Sequence, residues 1–262
     1  MGSFSDYLED ELLDHVLKVG AFTQPTHLYI ALSTADPTDD GSGLAEPSGG
    51  SYARKICDDW DAAASRATAN TNAVTFTKAT GDWGTLTHFA VFDAITGGNM
   101  IGHGALSASK SISSGDTASF AAGALAVSVN AGKMSNYLAN ALLDHVFINT
   151  EYTVPTNIYV ALATVTITDS DTGTTITEPS GGSYARETQN SYDAASGGAT
   201  ENTGAIDFTE ATASWGTITD VCLVDAASEG NMLLYAALDT SKAIGDGDTA
   251  HFDDGALDIT LA

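Results

Sequence analysis

Apolar positions recur at helical spacing near the start of each half of the chain. Leu8, Leu12, Leu13, Val16 and Leu17 form one stripe, and Leu138, Leu142, Leu143, Val146 and Phe147 form the other. Ser5 and Ser135 stand where an N-cap belongs, because a serine oxygen can accept an orphan N–H of the first turn. Acids follow Ser5, and Lys18 and Gly20 suit a helix end. The remaining sequence changes to short alternating runs. Leu28, Ile30 and Leu32 share one face, as do Leu125, Val127 and Val129. Strands are expected at 27–33, 51–57, 72–77, 85–93, 99–106, 116–120 and 124–129, with counterparts in the second half. Ile95–Asn99 and Ile244–Asp248 carry turn signals. The pattern predicts a mainly β chain of two tandem antiparallel β-sandwich (jelly-roll-like) domains, each preceded by a short amphipathic helix. Trp83, Phe92, Phe120, Trp215 and Phe252 are expected as inter-sheet packing.

The two halves are one sequence written twice. Leu12-Leu13-Asp14-His15-Val16 returns as Leu142-Leu143-Asp144-His145-Val146, an offset of 130. Glu46-Pro47-Ser48-Gly49-Gly50-Ser51-Tyr52-Ala53-Arg54 returns unchanged from Glu178 to Arg186, an offset of 132. The slip lies in a polar stretch between Leu32 and Glu46, and loops absorb insertions where packed elements do not. The repeats are therefore placed at 1–132 and 133–262. A period this long excludes a solenoid, so each repeat is expected to be a domain. Met134 stands where an initiator would, which points to a single-repeat ancestor.

Charge narrows the function. Nine Lys and Arg face 34 Asp and Glu in 262 residues, a net charge of -25. Such a surface repels phosphate backbones, which argues against nucleic-acid binding. Charged residues make up only 16% of the chain and apolar ones 43%, so this is a folded acidic protein rather than an acidic tail. Acid-rich, lysine-poor composition suits concentrated salt and points to a halophilic or marine source. No apolar run is long enough for membrane insertion. The N-terminal segment has neither the basic nor the apolar stretch of a secretory leader. Two cysteines, Cys57 and Cys222, sit at unrelated places in the repeat and are expected as buried thiols rather than a disulfide framework.

The duplicated polar and aromatic residues are the candidate sites. Arg54 and Arg186 each close the Gly-Gly-Ser-Tyr-Ala-Arg run and are expected to pair with a carboxylate, Glu46 or Glu178, or with one across a subunit interface. His15 and His145 lie in identical helix-end contexts. They are read as structural or interface residues, with a metal ligand or pH switch as the competing reading. Tyr52 with Tyr184, and Trp60 with Tyr192, are the candidate glycan platforms if the chain is a carbohydrate-binding adhesin module. Asp169 and Asp171 begin like a calcium loop, but Ser180 stands where the bidentate Glu belongs. Surface calcium or magnesium there competes with plain solvated acid, as it does at Asp36, Asp39 and Asp40, and no other cofactor is expected. The Gly-Gly turns lack the Lys-Ser/Thr of a phosphate loop, and no Gly-x-Ser-x-Gly or His-Glu-x-x-His motif occurs. No enzyme is implied.

These residues in combination resemble a known family. Met134-Ser135-Asn136-Tyr137-Leu138, Leu142-Leu143-Asp144-His145-Val146-Phe147, the Gly-Gly-Ser-Tyr-Ala-Arg turn, Trp215-Gly216-Thr217, Gly230-Asn231 and Gly247-Asp248-Thr249 resemble small virion proteins of tailed viruses of bacteria and archaea, usually labelled tail-fibre proteins. The resemblance implies a structural protein on the outer surface of a virion, assembled in the host cytoplasm. Its place would be the tail fibre or baseplate, or the capsid as a decoration or turret protein. Its partners would be other virion proteins, with a host surface glycan as a further candidate. With the acidic composition it points to a haloarchaeal virus. A homo-oligomer is expected, and three two-repeat chains would present six similar faces, a pseudo-six-fold arrangement.

Overall fold

The computed structural model describes residues 3–129 and 133–261. It is mainly β and antiparallel throughout. The first repeat runs β1 (Ser3–Phe4), α1 (Asp6–Val16), β2 (Tyr29–Ser33), β3 (Lys55–Ile56), β4 (Ala67–Ala69), β5 (Val74–Thr75), β6 (Gly84–Phe92), β7 (Met100–Ile112), β8 (Ser119–Phe120) and β9 (Ala126–Ser128). The second runs α2 (Asn136–Phe147), β10 (Tyr159–Ala163), β11 (Glu187–Thr188), β12 (Ala199–Glu201), β13 (Ile206–Asp207), β14 (Gly216–Val224), β15 (Met232–Ile244), β16 (His251–Phe252) and β17 (Asp258–Thr260).

The compact units do not run along the repeats. One comprises Met1–Asp10, Thr23–Asn130 and Asn140–Tyr152, and the other comprises Glu11–Phe22, Ala131–Ala139 and Thr153–Ala262. Most of α2 thus belongs with the strands of the first repeat, and the second half of α1 with those of the second.

In the first unit a five-stranded sheet has the order β1-β7-β6-β2-β3. Two ribbons, β4–β9 and β5–β8, form the layer packed on it. Phe120 of β8 meets Phe89 of β6 edge-on at 6.0 Å and Phe76 at 6.4 Å, which closes sheet and ribbon around one core. The interior strand β2, between β6 and β3, is covered on both faces. Ile30 and Leu32 are buried on one, while Ala31 packs with Ala90, Phe92 and Met100 on the other. The second unit repeats the plan with β11-β10-β14-β15 and the ribbons β12–β17 and β13–β16. Its inner cluster includes Ala161, Cys222, Val224 and Met232. Only small side chains and a thiol fit at Ala31, Ala161 and Cys222, which explains their place in the middle of a covered sheet.

The helix starts are fixed by the predicted caps. Ser5 Oγ accepts the Leu8 N–H and donates to the Met100 carbonyl. Ser135 Oγ accepts the Leu138 N–H at 3.1 Å and donates to the Met232 carbonyl at 2.5 Å. Each serine therefore ties its helix to the strand behind it. The end of α1 is set by Lys18, at φ 69°, rather than by Gly20.

Several expected strands differ: 72–77 shortens to Val74–Thr75, 116–120 shortens to Ser119–Phe120, and β4 at Ala67–Ala69 falls outside the expected runs. The 51–57 run shortens to Lys55–Ile56, because Gly49, Gly50 and Ser51 all take left-handed φ (78°, 57° and 61°) and turn the chain back. The 99–106 run instead extends to Ile112 as β7, past a register shift against β6 between Leu86 and His88. The second repeat shows the same shift between Ile218 and Asp220. Such a shift bends a strand pair without ending it.

Candidate functional site

The left-handed turn at Gly49–Ser51 brings Glu46, Tyr52 and Arg54 together. Arg54 forks onto the Glu46 carboxylate, with Nε at 3.2 Å from both oxygens and Nη2 at 2.8 Å. Its Nη1 donates to the carbonyls of Ala94 at 2.9 Å and Gly97 at 2.7 Å. The guanidinium lies 3.5 Å from the centroid of the Phe92 ring. Tyr52 donates its hydroxyl to Glu46 at 2.7 Å and accepts the Leu32 N–H at 2.9 Å. One carboxylate thus holds a turn, the edge of β2 and the 93–98 hairpin in register.

The second copy is closer still. Arg186 donates to Glu178, Ala226, Glu229 and Gly173, so all five of its N–H groups have acceptors. Tyr184 binds Glu178 at 2.7 Å and accepts the Leu162 N–H at 2.8 Å. Burial, reinforced by the neighbouring carboxylate, pushes both phenols above their ordinary range. Gly50 is required here. A Cβ on it would lie 3.0 Å from both the Gly81 carbonyl oxygen and the Trp83 indole nitrogen, which donates to the Gly50 carbonyl at 2.9 Å.

The aromatic candidates face inward. Trp60 and Tyr192 are 5% and 7% exposed, so neither offers a platform to a sugar. Trp60 donates to the Cys57 carbonyl at 2.8 Å and packs on Phe147 at 4.6 Å between ring centroids. Tyr52 sits edge-on to Trp83 at 5.3 Å and stacks over Phe76 at 6.4 Å. Tyr184 does the same with Trp215 and Phe208. An apolar ring surface is worth more inside such a cluster than in water, which is why these residues are core rather than contact.

The duplicated histidines close the helix ends. His15 Nδ1 accepts the Phe22 N–H at 3.3 Å, and His145 Nδ1 accepts the Tyr152 N–H at 3.1 Å. Both are buried, and His145 Nδ1 also lies 2.7 Å from Gln24 Nε2. Each ring reverses the chain after its helix. Asp169 and Asp171 organise their own loop. The Asp169 carbonyl accepts the Asn136 N–H at 2.7 Å. The Asp171 carboxylate accepts the Thr168 N–H and hydroxyl at 2.8 Å each, bonds that hold its pKa below the usual carboxylate range. Among the described residues no three His, Cys, Asp or Glu side chains converge as a metal ion requires.

Sequence reasoning missed three surface features. The repeats carry matching grooves beside the long hairpins. One, of about 570 Å³, lies between Phe89, Leu106 and Phe120, and the other, of about 540 Å³, between Val221, Leu238 and Phe252. They exist because β7 and β15 run on past their register shifts, which no periodicity announces. The third is a cleft of about 290 Å³ in the first unit, lined by Thr26, His27, Asp58, Asp59, Trp60 and Ile148 among others.

No curated protein matches the chain. A family does: the Gp80 family, described as podophage GP4 fiber I protein gp80, matches residues 3–128 and again residues 133–260. The two matches fall on the two repeats and together span nearly the whole chain, so this protein belongs to the podophage fiber I protein gp80 family, as a tandem duplication.

Proposed function

We propose that this chain is a non-enzymatic structural component of the fibre of a tailed virion, carried on its outer surface. The observation that carries this reading is the match of a fibre-protein family to both repeats. The chemistry of the repeats supports it. The duplicated Arg, Tyr and His side chains are engaged in internal bonds that fix turns and hairpins, and Asp171 does the same in its own loop. The Cys57 and Cys222 thiols are pushed up to about 12 by burial, far from a reactive thiolate. A repeat that devotes its polar groups to rigidity suits a load-transmitting part. The exposed matching grooves supply two similar contact faces per chain, and three chains would supply six to a six-fold ring. The partners are other virion proteins, and contact with the host would follow from the fibre position.

Antibody to this chain, gold-labelled on purified particles and viewed by electron microscopy, tests the reading. Gold at the tail end is the expected result. Gold over the head would replace the fibre assignment with a capsid decoration or turret protein. Intact particles without gold would overturn an outer-surface role altogether.

A further inference from the structure

The internal duplication allows one site to be compared with itself. In the second unit Lys18 Nζ donates to the Thr156 carbonyl at 2.5 Å and to Asn190 Oδ1 at 3.2 Å. Asn190 Oδ1 also accepts the Ile158 N–H at 2.9 Å, and its Nδ2 donates to Asn157 Oδ1 at 2.9 Å. The first unit preserves this frame. Asp58 Oδ1 accepts the Leu28 N–H at 2.9 Å, and Asp58 Oδ2 pairs with His27 Nδ1 at 2.7 Å. Thr26, His27, Leu28 and Asp58 occupy the places of Thr156, Asn157, Ile158 and Asn190. Two things change. The neutral amide becomes a carboxylate, with Asp59 beside it where the second repeat has Ser191. The residue at the offset of Lys18 is Ile148, which has no amine, and the cleft of about 290 Å³ lies at this place.

We propose that this cleft receives the side-chain ammonium of a lysine on a protein partner. The acceptors that hold an ammonium in one unit are present in the other with more negative charge, and the group beside the carboxylate there is the His27 imidazole rather than a lysine ammonium. Trp60 and Phe147, packed on each other at 4.6 Å between ring centroids, are among the residues that form the floor of the cleft. A chain with nine cationic side chains against 34 acids is complementary to a lysine-bearing surface. That the partner is a virion protein rests on the fibre reading above, but the cleft chemistry does not.

The test is chemical-shift mapping on the full chain. The probes are Nα-acetyl-lysine methylamide, its norleucine analogue and glucosamine. The lysine probe is expected to shift the Leu28 amide, the His27 ring and the Trp60 indole saturably, and norleucine to leave them in place. Asp58→Asn keeps the acceptor for Leu28 and is expected to weaken binding roughly tenfold, the step from a charge-assisted to a neutral acceptor. Ile148→Lys would fill the cleft from within and abolish the response. Equal shifts with norleucine, an undiminished response in Ile148→Lys, or binding of glucosamine without lysine would each overturn the proposal. The readout is on the purified chain, so such a failure leaves the gold-labelling result standing.

Discussion

Asp144, on α2, accepts the backbone N–H of Ala63 through Oδ1 at 2.6 Å. The bond pins a tight turn in which Ser65 and Arg66 both take left-handed φ, 50° and 65°. Asp14 makes the counterpart bond to the Ala195 N–H at 2.7 Å in the other unit. Helix and turn are far apart in sequence, yet each pair lies inside one compact unit.

Removing Asp144 leaves the Ala63 N–H without its charged acceptor. Asp144→Ala is expected to lower stability by about 2 kcal/mol, the range for a hydrogen bond to a charged group. Asp144→Asn keeps an acceptor oxygen and should lose less than half of that. Urea unfolding of the full chain followed by tryptophan fluorescence measures both. Equal losses in the two variants would show that the charge, not the bond to Ala63, carries the effect.

The Glu46–Arg54 pair makes a sharper demand on shape. The Arg54 side chain is 6% exposed, and its fork serves Glu46 while Nη1 holds the 93–98 hairpin. Arg54→Ala leaves the Glu46 carboxylate with the Tyr52 hydroxyl but no cation, and two carbonyls without their donor, at a cost of about 3 kcal/mol. Arg54→Lys restores the charge but not the planar fork and should recover little. Arg186 and Glu178 should behave alike. Wild-type stability in Arg54→Lys would mean that charge alone is enough at this node.

Glu9 gives the first unit a pH dependence that its counterpart Ala139 lacks. Burial, with the Asp39, Asp6 and Asp10 carboxylates adding repulsion, pushes the Glu9 carboxyl from 4.5 up to about 7. The folded chain then binds this proton more tightly than the unfolded chain. The contribution to stability is full below about 4.5 and is lost as pH rises towards 7. Glu9→Gln stays neutral throughout, so its melting temperature should exceed wild type above pH 7 and converge with it in acid. Parallel curves for the two proteins across that window would remove Glu9 as the titrating group.

Much of this was legible in the sequence, for physical reasons that differ by element. Ser5 and Ser135 could be read as caps because a cap is a local bond. The Glu46–Arg54 pairing was legible because the partners lie on either side of one glycine turn. Trp60 and Tyr192 looked like platforms because a duplicated aromatic reads the same whether it faces water or a core. Trp60 is buried against Phe147, and packing of that kind is not disclosed by sequence neighbours. The extension of β7 to Ile112 was hidden because the strand beyond the register shift is exposed through Ser111 and carries no alternating apolar face. The exchange of helix segments was equally hidden, since the stripe on α2 reads the same whichever repeat's strands it packs on.

The charge of -25 leads to the last prediction. At about 0.1 M salt the Debye length is roughly 10 Å, so neighbouring surface carboxylates repel one another across the fold. At about 1 M it falls to roughly 3 Å and that repulsion is largely removed, while the unfolded chain, with its charges farther apart, gains less. The folded state is relieved more than the unfolded one, so stability should rise with salt. The melting temperature is expected to climb steadily as KCl is raised through this range, with the steepest part at the low end where screening changes most. Sodium chloride should reproduce the curve, because screening depends on ionic strength rather than on the cation. A flat or falling curve would mean that the acids are spaced widely enough to coexist without screening, and the halophilic reading of the composition would fall with it.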